Sequence, residues 1–454
     1  MNKILKFFSK IIVILLHISF LMIYFSIFFE SSIASQLKVG VAKTDITPPL
    51  GFRMAGYYTE RRASSVHDEL YAKALVLDDG SNKLVLVICD NIRPFPEAYK
   101  KAKKSIQNEL GIPSENIFIS STHTHTGPEM EKPYDDLLSI KILDAVCIAN
   151  QKLKPAVISV GIGREEHISF NRRYLMKDGT VKWNPGRLNP DIVKPVGPID
   201  PDIGIFYIVT TDGKPLAVFV NFAMHLDTVG GTEISADYPY FLEKILKSVI
   251  DKDMVMFFGL GTCGNINHID VKKNENFPSF GKAEQIGYVL AGDVIKELPT
   301  LKPIENVVLK AEGEIVLLES PKYTKKEIEW AKLNAKDRYE KDSFTSEARI
   351  ATKILNIQSL QGKPIEVDVI AFRIGDIAIV SLPGEVFVEH GLAIKEKSPF
   401  KYTFVIENSQ TNLGYVPNEK AYDEGAYEVE VSRLKKGEGE KLVDAALRLL
   451  NKIK

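Results

Sequence analysis

Leu84-Val85-Leu86-Val87-Ile88-Cys89-Asp90 is apolar at every position until it ends in an acid. So short and unbroken an apolar run reads as a strand buried on both faces. The segment that follows, Pro96 to Leu110, repeats apolar residues at Ala98, Ala102, Ile106 and Leu110, the spacing of one helix face. Asn116-Ile117-Phe118-Ile119 then returns to a β-branched and aromatic run that reads as a strand entering a turn.

The same alternation continues outward from this unit. Strand-like runs recur at Leu37–Ala42, Ala74–Leu77, Ala156–Gly161, Gly204–Val209, Leu216–Phe222 and Val255–Gly259, and again at 308–317, 365–374 and 377–382. Helical patterns fall between them, near 137–153, 240–249, 284–297, 325–334, 386–395 and 442–453. This predicts an α/β fold: a single large domain whose mixed β-sheet core is flanked by helices. Ligands of such sheets bind beyond the carboxyl ends of strands. Phe170 to Asp202, rich in Asn, Pro, Gly and Arg, has no clear secondary structure and reads as a lid or binding loop. The charged, helical stretch from Ser320 to Leu355 reads as a surface excursion.

Composition narrows the function class. The 454 residues are 45% hydrophobic and 26% charged, with a formal net charge of -1. Near-neutrality without a basic stripe argues against nucleic acid as a partner. No internal sequence repeat or low-complexity segment stands out. Lys3, Lys6 and Lys10 precede an apolar run from Ile11 to Phe29, with small residues at Ser32-Ile33-Ala34. Residues 1–35 therefore read as an export signal cleaved after Ala34, or as an N-terminal anchor in contact with the membrane. The chain is expected to be exported: secreted, periplasmic, or held at the outer face by residues 11–29. Cys89, Cys147 and Cys263 are far apart and form no Cys-x-x-Cys pair, so they read as small apolar core residues rather than a metal or redox motif.

The candidate chemistry begins at Ser120-Ser-Thr-His-Thr-His-Thr-Gly-Pro128. His123 and His125 are two residues apart, so an extended backbone sends both imidazoles from one face. Taken alone, the pair is either a metal-binding pair or two loop histidines with local hydrogen bonds. Val218-Phe219-Val220-Asn221-Phe222-Ala223-Met224-His225 delivers a third histidine at a strand end. Three protein ligands with an open position are what a catalytic zinc ion takes. Ser381-Leu382-Pro383-Gly384-Glu385 ends another strand, with Glu385 read as opening a helix, where the dipole alone would favour it. Gly259-Leu260-Gly261-Thr262-Cys263-Gly264 is a glycine-rich loop of the kind that presents backbone N–H groups to an oxyanion.

Several stretches, in order, resemble the N-terminal catalytic domain of the neutral/alkaline non-lysosomal ceramidase family. They are Gly40 to Pro49, Thr122 to Pro128, Asn221 to His225, Pro383-Gly384-Glu385 and Gly414-Tyr415-Val416, with Ser235 to Pro239 similar to a further segment. The resemblance implies a zinc hydrolase domain over residues 36–454, with Zn2+ held by His123, His225, Glu385 and Tyr415. It implies that His125 and Arg172 touch the substrate, a lipid or small-molecule N-acyl amide. Tyr427 would help hold the tetrahedral intermediate. Asp45 and Asp90 are candidates for orienting groups near the metal, or ordinary turn and strand-end residues.

Two departures stand out. Gly264-Asn265-Ile266-Asn267-His268 puts Asn267 where the family carries a serine, so Asn267 is expected to serve as a hydrogen-bond donor to an oxyanion. The immunoglobulin-like C-terminal domain of the longer members is not expected within this sequence. The alternatives are an exported zinc-binding protein without catalysis, and a hydrolase that uses Cys263 as nucleophile.

Overall fold

Among the described residues the backbone three times runs strand, strand, strand, helix, strand, helix. The first pass is β1 (Lys38–Asp45), β2 (Tyr71–Asp78), β3 (Lys83–Cys89), α1 (Pro96–Leu110), β4 (Ile117–Ser121) and α2 (Lys132–Gln151). The second is β5 (Lys154–Arg164), β6 (Asp202–Thr210), β7 (Pro215–Phe222), α3 (Tyr238–Val249), β8 (Val255–Leu260) and α4 (Phe280–Glu297). The third is β9 (Leu309–Leu318), β10 (Ile365–Ile374), β11 (Ile377–Ser381), α5 (Val388–Lys397), β12 (Tyr402–Ile406) and α6 (Glu438–Ile453). The computed structural model describes residues 37–275, 279–305 and 307–454, and the export or anchor segment read at residues 1–35 lies outside them.

Pairing within each pass is the same. The first three strands are antiparallel neighbours, and the third runs parallel to the fourth across the helix. Strands β1 and β5 join the first two passes into one mixed sheet in the order β8-β7-β6-β5-β1-β2-β3-β4, with a short strand, Lys302–Pro303, added to β5. The third pass forms its own sheet, β9-β10-β11-β12.

Strand periodicity explains why three such units pack together. Successive residues face opposite sides of a sheet. On β10, Val367, Val369 and Ala371 face the helices of their own pass, while Ile370, Phe372 and Ile374 face a core shared by all three. β6 divides likewise, Ile203 and Ile205 against Phe206 and Ile208. Aromatic rings stitch the shared core: Phe118 to Phe372 at 5.7 Å, and Phe206 to Phe404 at 6.2 Å. This is the mixed sheet flanked by helices that the βα pattern predicts. The repeat itself is invisible in the sequence, because the passes share topology and not residues.

This arrangement gathers six strand ends. The carboxyl ends of β3 and β4, β7 and β8, and β11 and β12 all contribute to one region. The long connections from first to second strand in each pass, 46–70, 165–201 and 319–364, supply its surroundings. The second of these corrects the reading of Phe170 to Asp202 as structureless. It contains a small antiparallel sheet of Arg173–Met176 with Val181–Trp183 and Ile192–Pro195. The third carries the helices Lys325–Asn334 and Ser346–Ser359.

Candidate active site

His123 follows β4 in a turn fixed by main-chain bonds, Thr122 N to Cys89 O at 2.9 Å and His123 N to Asn91 O at 2.8 Å. Its φ of 75° is uncommon for a residue with a side chain and is held by those bonds. The ring Nδ1 meets the Ile92 carbonyl at 2.5 Å. His225, just past β7, meets the Cys263 carbonyl through Nδ1 at 2.8 Å. Each carbonyl accepts the ring's N–H, which leaves Nε2 with its lone pair outward.

Both lone pairs meet one carboxylate. Glu385 Oε2 lies 3.5 Å from His123 Nε2 and 3.4 Å from His225 Nε2. Glu385 does not open a helix as the sequence suggested; α5 begins only at Val388. Glu385-Val386 instead pairs in parallel with Tyr415-Val416, and Glu385 N donates to the Gly414 carbonyl at 2.9 Å. That pairing brings Tyr415 to the same centre. Two glycines permit it: a Cβ on Gly384 would lie 2.2 Å from the Gly414 oxygen, and one on Gly264 would lie 2.5 Å from the Glu385 oxygen.

His125, half-buried, completes the group, with its Nε2 3.3 Å from His123 Nε2. His123, His125 and His225 each offer a ring nitrogen within 4.8 Å of the others, so spacing alone allows His125 to reach a metal too. Arg61, from the first long connection, holds the His125 carbonyl at 2.7 Å.

The charges balance around Glu385. Burial works against its ionised form, but the imidazoles of His123 and His225 hold its pKa well below the carboxylate range. Burial likewise opposes a charged His123, and Glu385 outweighs it to raise that pKa. Burial, reinforced by His123, drops the His125 pKa well below its usual value. Burial and Arg172 lower that of His225.

Arg172 is 3% exposed, and its donors meet protein atoms. Nε donates to Glu428 at 2.9 Å, Nη2 to the Gly264 carbonyl at 2.7 Å and to the Tyr415 hydroxyl at 3.1 Å, while Nη1 lies 3.3 Å from His225 Nε2. It thus holds the Tyr415 hydroxyl and lies beside the outward nitrogen of His225. Glu428, fully buried, also pairs with Arg173 at 2.9 Å. Sequence reading missed Glu428 as a site residue; the one local signal was a pair of adjacent arginines.

Tyr427 lies beside Tyr415, ring centroids 5.5 Å apart, and beside Trp183 at 4.8 Å. His123, His125, Glu385, Tyr415 and Tyr427 all line one pocket of about 480 Å³. Asn267 is not among its lining residues. It pairs with Phe170 in a two-residue ladder, donates its amide to Asn184 at 3.0 Å, and accepts from Ile269 N at 3.1 Å. Asp45 serves a backbone turn, accepting from Thr47 N at 2.8 Å, and Asp90 closes a strand end, accepting from Tyr71 N at 2.9 Å.

Three main-chain amides of the glycine-rich loop are already engaged. Gly261 N donates to Phe222 O, Gly264 N to Val386 O, and Cys263 N to Glu407. Its glycines serve close packing, Gly264 against the Glu385 segment and Gly261 against Ala223. Glu407 accepts from Cys263 N at 3.0 Å and Val386 N at 2.7 Å, clamping the loops that carry His225 and Glu385. Burial pushes its pKa up to about 8.

Cys263 is fully buried, and its Sγ lies 3.2 Å from Glu407 Oε1. Burial and that neighbour raise the thiol pKa well above normal, the opposite of what a nucleophilic thiolate needs. All three cysteines are free.

Residues 37–226 match the family model described as neutral/alkaline non-lysosomal ceramidase, N-terminal. Over that stretch the chain is similar to that family. Neutral ceramidase A of Dictyostelium discoideum is 24% identical over 267 residues, 52% of this chain and 36% of that protein. The neutral ceramidase of Pseudomonas aeruginosa is 25% identical over 209 residues, 41% of this chain and 30% of that protein. The matched stretches thus span about a third of each ceramidase's own length. The crystal structure of the Pseudomonas aeruginosa neutral ceramidase superposes with a TM-score of 0.72 at 18% identity, covering 92% of this chain and 75% of that one. The fold of a neutral ceramidase therefore extends over nearly the whole of this chain.

Proposed function

We propose that this chain is a zinc-dependent amide hydrolase acting outside the cytoplasm, cleaving the N-acyl bond of ceramide or a related N-acyl amide. One observation carries it: Glu385 Oε2 lies 3.5 Å from His123 Nε2 and 3.4 Å from His225 Nε2, and His123 and Glu385 line the pocket. Donors each about 2.1 Å from a tetrahedral metal are about 3.4 Å apart, so the spacing fits zinc. Three lone-pair donors facing one another also call for a cation among them.

The assigned ligands are His123, His225, Glu385 and Tyr415. The chemistry that zinc supplies in such a donor set is Lewis-acid polarisation of the acyl oxygen and a more acidic attacking water. The Ile92 and Cys263 carbonyls fix the ligand tautomers, and Arg172 aims Tyr415. His125, kept neutral, has one N–H to give to the oxygen on which charge develops. Burial raises the Tyr427 pKa well above normal, so its hydroxyl also stays a donor. Loss of either donor is expected to slow turnover by about a hundredfold or more.

The test is hydrolysis of a panel of N-acyl amides, ceramide included, by the wild type and Cys263→Ala. Turnover of at least one amide, retained in the variant, is expected. Loss of turnover in Cys263→Ala with zinc still bound would show a thiol mechanism instead.

Export rests on the basic and apolar N-terminal pattern. Sequencing the exported protein is expected to give an N-terminus at Ser35. An intact Met1 in a cytoplasmic fraction contradicts export, and an intact Met1 in the membrane indicates an anchor.

A further inference from the structure

The pocket beside the proposed metal centre carries more positive charge than amide cleavage requires. Arg93, Lys336, Arg338, Arg349, Lys353 and Arg433 line it, and Glu385 is the one carboxylate among its lining residues. Acids outside the lining engage three of these cations: Arg93 with Glu129 at 3.3 Å, Lys336 with Glu340 at 3.4 Å, and Arg349 with Glu430.

The other three donate to main-chain carbonyls instead. Arg338 Nε reaches the Tyr57 carbonyl at 3.1 Å, and Lys353 Nζ the Val429 carbonyl at 3.2 Å. Arg433 Nη2 reaches the Asn412 and Leu413 carbonyls, each at 2.9 Å. Burial lowers the pKa of Lys353 and of Arg433, at Lys353 against a partial offset from Glu430, which marks the cost of holding these charges there. A pocket retains half-buried cations at that cost when an anion offsets it. Ile92, Pro96, Leu413, Val431 and the rings of Tyr58 and Tyr427 supply the apolar part of the lining.

We propose that the amide substrate carries an acidic group, a carboxylate or a phosphate, held by Arg338, Lys353 and Arg433 next to the scissile bond. This rests on the amide-hydrolase reading and narrows its substrate to acidic N-acyl amides. The cations line a concavity of about 480 Å³, so they suit a ligand that enters rather than a bilayer that lies across the surface.

Calorimetric binding of three probes to the full chain tests this: N-decanoylglycine, N-decanoyl-phosphoethanolamine and neutral N-decanoylethanolamine. At least one acidic probe is expected to bind about tenfold or more tightly than the neutral one, the worth of a charge-assisted contact. Which acidic probe gains more tells carboxylate from phosphate. The preference is expected to shrink as salt rises. It is expected to vanish in Lys353→Gln/Arg433→Gln, with the neutral probe unaffected. Equal binding of all three probes by the wild type overturns the proposal, as does a preference that the double variant keeps. If that variant does not fold, the wild-type comparison and its salt dependence decide. Binding and turnover separate the two readings: a chain that prefers acidic probes yet cleaves no amide keeps this inference and loses the hydrolase. One that cleaves neutral amides and binds all probes alike does the reverse.

Discussion

Glu385→Gln is expected to lose zinc and amide hydrolysis together while remaining folded. The substitution keeps the size and shape of the side chain, so the strand pair of Glu385-Val386 with Tyr415-Val416 has no reason to open. What disappears is the negative charge between His123 and His225. If four ligands share a zinc binding energy of about 10–16 kcal/mol, one contributes about 3 kcal/mol, or roughly a hundredfold in affinity. Metal content and turnover are the readouts, with circular dichroism and the melting midpoint as controls for folding. A variant with full turnover contradicts the ligand role. A variant that unfolds points instead to Glu385 as a structural residue.

Glu428→Ala is expected to cause the largest loss of stability, about 3–5 kcal/mol, the usual result of removing one partner from a buried charge group. Glu428 is 0% exposed and neutralises both Arg172 and Arg173, which are 3% and 1% exposed. Its removal leaves two buried guanidiniums without their shared carboxylate, and among the described residues Arg173 keeps Glu424 at 3.1 Å. The denaturant midpoint measures the cost, and a change below about 1 kcal/mol contradicts it, since that is the worth of an exposed pair. Replacing all three residues by apolar ones of similar volume is expected to restore much of the stability. It is not expected to restore turnover, because the Tyr415 hydroxyl loses the guanidinium that holds it.

The elements legible in the sequence are those whose signal is local. Leu84 to Ile88 declares itself because both faces of β3 are covered, one by α1 and α2 and one by the shared core. Pro96–Leu110 is read to the residue because its apolar spacing and its flanking Gly111, in the left-handed region, are both local. Glu385 is misread for the opposite reason. Its backbone is claimed by Tyr415, thirty residues on, and a two-residue ladder leaves no periodicity to detect. Glu428 escapes notice because it meets Arg172 across 256 positions of sequence. His123 and His225 were visible as strand-end histidines, but the carbonyls that fix their tautomers belong to Ile92 and Cys263, in the loops after neighbouring strands. The glycine loop shows how one residue type serves two ends. Close backbone approach and an oxyanion hole both favour glycine, and only the partners of Gly261 N and Gly264 N tell them apart.

The central claim is that His123, His225 and Glu385 hold a zinc ion on which amide hydrolysis depends. Its most direct test is metal analysis of the purified chain coupled to turnover of an N-acyl amide, before chelation, after it, and after zinc is returned. One zinc ion per chain is predicted, with turnover lost on chelation and recovered on addition of zinc. Full turnover by metal-free protein would contradict the account.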